Sequence, residues 1–433
     1  MDLLNVNDRS GQYPRSYYAA SAKHLPLMAS LQGNISCDVC VIGAGYTGLA
    51  TALHLAERGY DVVVLEAQRV GFGASGRNGG QLGSGQRLDQ GILEKQLGFD
   101  MAKKLWELAQ ESKKLVKDLI AKHEIDCGYG DGVMHAQWRK RNLHHDFSYV
   151  EKLNNEYGYG EISALDKNSI SEMLGSNVYC GGSFDRGAGH LHPLNFVLGL
   201  ARACLQAGVR IFEQTKAKGI RHGDPAKIIT GNGHVLAKFV AIGTNGYLGD
   251  LEQKIASRVM PINNFILATE PLGKEMAKSL IRDNIAVADS RFVVNYFKLS
   301  QDYRLLFGGG ESYGYKFPLN LQEKPRKPML EIFPQLRDTK IDFAWGGTLA
   351  ITMSRMPDFS RLAPNVFSAS GYSGHGVGMA VLAGKLLCEV IGGTAERFDL
   401  MAKIPGKPFP GGIKMRLPLL ILAMSWYSLR DRF

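Results

Sequence analysis

Three glycine-rich clusters carry the residues whose types and spacing could do chemistry. The first is Gly43-Ala44-Gly45-Tyr46-Thr47-Gly48, with Glu66 downstream of it. In a G-x-G-x-x-G turn, the first glycine makes the tight turn. The second removes a side chain where a pyrophosphate must approach, and the third lets the next helix pack closely on the sheet. An acidic residue at the end of the following strand would accept hydrogen bonds from ribose hydroxyls. The second cluster is Gly73-Ala74-Ser75-Gly76-Arg77-Asn78-Gly79-Gly80-Gln81, and the third is Gly371-Tyr372-Ser373-Gly374-His375-Gly376-Val377.

The turn has meaning only if a strand precedes it and a helix follows. Cys37–Ile42 reads as that strand. Leu49, Ala52, Leu53 and Ala56 share a helical face in Leu49–Arg58, and Gly59 ends the helix. Asp61–Leu65 is β-branched and reads as a second, buried parallel strand closed by Glu66. Together they make a βαβ unit. A nicotinamide needs no further glycine segment beyond the acidic residue. A flavin is longer and needs more backbone close to its pyrophosphate, ribityl chain and ring, so the second cluster points to FAD. The third opens a helix over roughly 377–391, whose N-terminal dipole would stabilise negative charge on a reduced flavin.

Further along, helices are expected at 92–123 and 194–207. Strands are expected at Val133–Ala136, Val209–Glu213, Phe239–Ile242 and Val366–Ser370. Strand-like stretches at Phe265–Thr269, Phe292–Leu299 and Leu305–Gly308 alternate with turns, which suggests an antiparallel sheet. The predicted fold is α/β: a discontinuous, Rossmann-like FAD-binding domain (1–90, 185–250 and 346–433) and an α+β substrate domain (91–184 and 251–345). A chain of 433 residues is long enough for two cores. Residues 1–35 read as an irregular lead-in.

The composition is that of a soluble globular protein, with 45% hydrophobic and 21% charged residues. The net charge of +10 suits an anionic ligand or lipid as well as a merely basic surface. No aromatic-interleaved basic stripe occurs, so no nucleic-acid partner is expected. Among the six cysteines, Cys37 and Cys40 form a C-x-x-C, but inside a strand and without a second pair. They read as buried strand residues, and the cysteine usage fits a reducing cytoplasm. His190 and His192 have no acidic or cysteine partner nearby and read as a helix-entry turn; no metal is expected. No secretory signal or bilayer-spanning run is visible. The apolar tail segment Leu417–Met424 reads as a buried helix or interface, with peripheral membrane contact as the alternative.

Val41–Gly48, Gly73–Gly80 and Gly371–Gly376 resemble the flavin motifs of the D-amino-acid oxidase-like FAD oxidoreductases, which include glycine and sarcosine oxidases. Several further segments resemble a narrower group in that family, which oxidises gamma-glutamylputrescine. They are Ser16–Ser21, Gly189–Asn195, Ala395–Phe398, Pro408–Gly412 and Tyr427–Arg432. The resemblance spans nearly the whole chain. It implies FAD-dependent oxidation of an amine to an imine and then an aldehyde, with oxygen or a quinone as the electron acceptor. The implied cofactor contacts are the first cluster, Glu66, Ala67, Gly73, Ala74, Ser75, Arg77, Asn78, Gly79, Gly80, Gln81, Ala217, Gly243, and Gly374 through Val377.

Two departures from the family pattern matter. Sarcosine oxidases tether flavin through a cysteine in the segment matching Ala344-Trp345-Gly346-Gly347-Thr348; none stands here, so FAD is expected to be non-covalent. Glycine oxidases carry a carboxylate-clamping arginine shortly after the Trp-x-Gly, where this chain has Gly347-Thr348-Leu349. That favours an amine over an α-amino acid, although Arg355 could serve instead. The lysine that activates oxygen in sarcosine oxidases has no counterpart in Leu306–Glu311, which leaves a dehydrogenase open. His375, Trp345 and Tyr296 are the expected catalytic residues, with Arg291 as a further pocket residue. A D-amino-acid or sarcosine-type enzyme is the alternative, and a flavoprotein without turnover is the alternative of a different class.

Overall fold

The computed structural model describes residues 2–412 apart from 313, together with 415, 418 and 421. The strand before the first glycine turn, Gly33–Ile42, pairs in parallel with Val62–Leu65 on one side and Gly233–Ile242 on the other. Val62–Leu65 pairs with Arg210–Phe212, and Gly233–Ile242 with Val366–Ser370, again in parallel. Asp358–Ala363 adds an antiparallel edge, and the hairpin of Gly219–Arg221 and Ala226–Ile229 hangs from Gly233–Ile242. The parallel strands are apolar because helices cover them: Val62, Val63, Val64 and Leu65 are all buried.

The second sheet has nine strands. Its order is Ile341–Ile351, Met260–Thr269, Leu305–Ser312, Tyr296–Leu299, Ala286–Asp289, Gly130–Ala136, Gly182–His190 and Gln81–Leu82, with Ile162–Leu165 also on Gly182–His190. It is antiparallel, as its alternating turns predict, except where Ala286–Asp289 runs parallel to Gly130–Ala136. Gln81–Leu82 leaves the second glycine cluster and enters this sheet directly, so the cluster lies between the two sheets. The divisions expected at 184/185 and 345/346 fall inside Gly182–His190 and Ile341–Ile351.

The helix expected at 92–123 is two helices, Gln90–Leu97 and Phe99–Lys122, broken at Gly98, whose φ of +84° no helical residue adopts. The lead-in contains the short helix Tyr17–Ser21, capped by the Ser16 hydroxyl, and it is tied to the core. Tyr13 donates to the Val70 carbonyl at 2.7 Å, and Asp8 pairs with Arg77 at 2.8 Å. No helix among the described residues is long and apolar enough to cross a membrane. The tail segment 417–424 lies outside the described residues except for 418 and 421.

Helix Gly376–Ile391 crosses helix Tyr46–Ala56 at Gly384. A Cβ there would sit 2.5 Å from Ala50 Cβ and 2.7 Å from the Thr51 nitrogen. Gly384→Leu is therefore expected to cost about 3 kcal/mol through overpacking, seen as a fall in Tm. Gly91→Ala, on a helix with nothing near the added carbon, should leave Tm unchanged or raise it.

Candidate active site

Between the two sheets lies a cavity of about 850 Å³. At one end of its wall are Gly43, Gly45, Tyr46 and Thr47 from the first turn, with Glu66 and Ala67 at the strand end. Gly73, Ala74, Ser75, Arg77, Asn78, Gly79, Gly80 and Gln81 continue it, with Ala217, Gly243, Gly374, His375, Gly376 and Val377. Ala44 and Gly48, also expected to touch the cofactor, stand behind the wall. The Ala44 nitrogen donates to Glu66 Oε2 at 2.8 Å, and a Cβ on Gly48 would lie 1.8 Å from the Gly43 oxygen. Their task is to hold the turn's shape.

The wall fits a long dinucleotide. Helix Tyr46–Ala56 opens on Gly45 with no side-chain cap, so its N-terminal dipole faces the cavity. A Cβ on Gly45 would meet Ser75 Oγ at 2.8 Å, and that oxygen already accepts from the Tyr46 nitrogen at 3.0 Å. Arg77 donates Nε to the Phe72 carbonyl and Nη1 to Asp8, while Nη2 is buried without a partner. Glu66 holds the Ala44 and Gln68 nitrogens, each at 2.8 Å. Burial outweighs those hydrogen bonds and pushes its carboxyl up to about 7. Among the described residues lining the cavity none is a cysteine, so nothing on this wall could tether a flavin through sulfur.

At the other end the second sheet contributes Tyr296, Asn264, Ile266 and Glu311, with Arg291 and Arg355 from loops. Tyr296 donates to Asn264 Oδ1 at 2.5 Å. Its ring lies across Gly308, where a Cβ would be 2.1 Å from two ring carbons. Arg291 stacks 3.8 Å over Trp138 and pairs with Glu331 at 2.9 Å. His375 is on the wall, its Nε2 2.9 Å from the Gly85 carbonyl, and Tyr372 beside it bonds Thr47 Oγ1 at 2.6 Å. Burial, then Arg87, lowers the His375 pKa to about 4, so the ring is neutral and Nε2–H donates to that carbonyl.

Trp345, expected in the substrate pocket, is not on the wall. It is 1% exposed, donates to the Arg77 carbonyl at 3.0 Å and packs edge-on to Tyr18. The lead-in helix sets this: Trp345 pairs with Ile266, a residue of the wall, but Tyr18 covers its ring. His192 caps helix Pro193–Gln206, accepting from the Asn195 nitrogen, while His190 meets the Asn284 carbonyl. Cys37 and Cys40 are buried free thiols, Cys37 pushed up to about 12 by burial.

Two buried lysines and one carboxylate escaped the sequence reading. Lys298 donates to the Leu191 carbonyl behind Gly80, and burial brings it down to about 7. Lys113 bonds Ser84 and Tyr159, whose hydroxyl reaches Asp185 at 2.5 Å. Glu311 is the carboxylate. No local motif marks any of them, since each is brought in by a long-range strand or helix contact.

Two outcomes test this geometry. Gly48→Ala should weaken FAD binding at least roughly tenfold, read as the flavin-to-protein absorbance ratio on dilution. Because His375 takes a proton only near pH 4, it adds no limb to the rate of flavin reduction above pH 5. His375→Gln should therefore alter the amplitude of the pH profile and not its shape. Loss of a limb between about pH 5.5 and 7.5 in that variant would contradict a neutral His375.

Comparisons with known proteins agree with the fold and with a flavin cofactor. The family model for FAD dependent oxidoreductases, DAO, matches residues 38–390. Gamma-glutamylputrescine oxidoreductase of Escherichia coli (strain K12) is 42% identical over 97% of this chain and 99% of its own. A probable oxidoreductase, OrdL, of Rhizobium meliloti (strain 1021) is 41% identical over 96% of this chain and 97% of its own. The fold matches the crystal structure of glycine oxidase from Geobacillus kaustophilus with a TM-score of 0.71 at 20% identity, covering 82% of this chain and 95% of that one. With its glycine-lined cavity and full-length relatives, the chain belongs to the DAO family of FAD-dependent oxidoreductases, which act on carbon–nitrogen bonds.

Proposed function

We propose that this enzyme oxidises the primary amine of gamma-glutamylputrescine. FAD would be held without a covalent link along the glycine wall, by Gly45, Glu66, Gly73–Ser75 and Arg77–Gln81 among others, and would supply the hydride acceptor for the carbon bearing the amine. The resulting iminium takes up water and releases ammonium, leaving an aldehyde. The parallel sheet with its glycine turns serves as the cofactor domain, and the second sheet serves as the substrate domain.

The observation that carries this reading is the pairing of a full-length glycine wall with a second-sheet wall of mixed charge, in a chain 42% identical to a gamma-glutamylputrescine oxidoreductase. Gly347-Thr348-Leu349 lies where glycine oxidases place an arginine on the substrate carboxylate, which speaks against a simple amino acid. A glutamylated diamine carries its carboxylate far from the reacting carbon. Arg291 stands on the wall with Nη2 buried and unpartnered, and it is the cation we assign to that carboxylate. Tyr296, pinned by Asn264, and neutral His375 shape the pocket and exclude water; neither is required to move a proton. Oxygen or a membrane quinone would serve as the electron acceptor, and the apolar sequence of the tail suits peripheral membrane contact.

The test is anaerobic loss of flavin absorbance near ~450 nm with gamma-glutamylputrescine, putrescine, sarcosine and D-amino acids in parallel. Fast bleaching by the glutamylated amine alone is expected, and admitting air then separates oxidase from dehydrogenase. Bleaching by amino acids in its place would move the enzyme to the amino-acid oxidases, and no bleaching by any of them would leave a flavoprotein without this activity.

A further inference from the structure

Glu311 is a carboxylate on the cavity wall whose Oε2 is buried without a hydrogen-bond partner. It sits near the end of strand Leu305–Ser312, paired with Asn264 across the sheet, and both line the cavity. Asn264 is engaged through both its oxygen and its nitrogen, accepting from Tyr296 and donating to the Gly310 carbonyl at 3.1 Å. Glu311 Oε2 is buried and has no hydrogen-bond partner. Among the described residues no ion pair reaches it. The groups facing it are Tyr296 from the adjacent strand and Arg355 from the loop after Ile341–Ile351. Lys324, on helix Glu323–Ile332, packs against neighbouring Gly310.

A buried carboxylate without a donor is unfavourable unless something supplies charge and hydrogen bonds to it. Arg355 acts only at a distance. The remaining source is the cavity itself, and what fits is a compact cation with several N–H donors, such as a primary ammonium. We infer that Glu311 is the subsite for the substrate's ammonium group and takes its proton before oxidation. This rests on the amine-oxidising reading above.

The proton balance is closed. R–CH2–NH3⁺ gives one proton to the Glu311 carboxylate and becomes R–CH2–NH2, whose nitrogen lone pair can then form the C=N bond. The carbon's hydride goes to FAD and leaves R–CH=NH2⁺. Water converts this to R–CHO and NH4⁺, and the Glu311 proton returns to solvent once product leaves. Burial pushes the Glu311 carboxyl up to about 7, with Arg355 opposing. The group is therefore neutral below that pH and charged above it. Ammonium binding should rise as pH increases through about 7, and it should fall again only when the free amine loses its own proton near ~10.

The experiment uses the FAD-loaded enzyme and a gamma-glutamylputrescine analogue with two methyl groups on the amine-bearing carbon. Such an analogue binds but has no hydride to give, and binding is read from the perturbed flavin spectrum. Glu311→Gln should weaken binding roughly 30-fold or more and flatten its pH dependence, as expected for loss of a charge-assisted hydrogen bond. Glu311→Asp should keep the acid limb with weaker binding, and unchanged flavin content reports that both variants fold. Binding by Glu311→Gln within roughly threefold of the parent, or with the limb intact, overturns the assignment. If the parent itself ignores the analogue, the glutamylated substrate is wrong. tert-Butylamine, an ammonium without that arm or a reactive hydrogen, then judges Glu311 alone: binding that depends on Glu311 and on pH supports the subsite, and its absence overturns it.

Discussion

The structure depends on backbone approaching backbone where no side chain could stand. Gly48 lies over the Gly43 carbonyl, where a Cβ would be 1.8 Å from oxygen. Gly43 in turn approaches Gly243, just past the parallel strand Gly233–Ile242, and Gly384 brings helix Gly376–Ile391 onto helix Tyr46–Ala56. These contacts set how far the N-terminal end of helix Tyr46–Ala56 lies from the strand ends. That distance decides whether a pyrophosphate can reach the helix dipole. A methyl group at any of these points would separate layers that the cofactor needs together.

Around that contact, buried polar groups fix the loops that the glycines leave free. Glu66 ties the first turn to the chain beyond Val62–Leu65 through two backbone nitrogens. Arg77 reaches back to Asp8 and across to the Gly346 carbonyl, so the lead-in, the second glycine cluster and the second sheet share one side chain. Trp345 adds its own bond to Arg77. Such a network is favourable only when nearly complete, and its one unsatisfied nitrogen, Arg77 Nη2, is at the wall of the cavity. The lead-in is thus part of the site's scaffold.

The two ends of the cavity differ in what builds them. The cofactor end consists mainly of backbone: turns, helix N-termini and glycines. The opposite end consists of side chains from antiparallel strands, held by cross-strand pairs such as Tyr296 with Asn264. A glycine-lined wall suits a shape common to a whole family, whereas a side-chain wall can change its chemistry without disturbing the fold. This division explains how one fold serves many substrates around one cofactor.

The sequence by itself determined the cofactor end. Gly43, Gly45, Gly48, Glu66 and Gly73–Gln81 are close along the chain, and local turn geometry dictates their residue types. The βαβ unit and the helix after Gly374 were legible for the same reason: hydrophobic period and glycine punctuation are local signals. The break at Gly98 was not, because a single glycine inside an apolar period reads as tolerated helix. Only the tertiary structure decided the opposite end of the cavity. Long-range register puts Tyr296, Ile266 and Trp345 in one cross-strand row on one face, and the lead-in helix then covers Trp345 with Tyr18 while Tyr296 and Ile266 stay on the cavity wall. A side chain's face is set by that register, and one residue of slip would reverse it. Glu311, Lys113 and Lys298 carried no motif, because burial and missing partners arise only when distant elements close around a group.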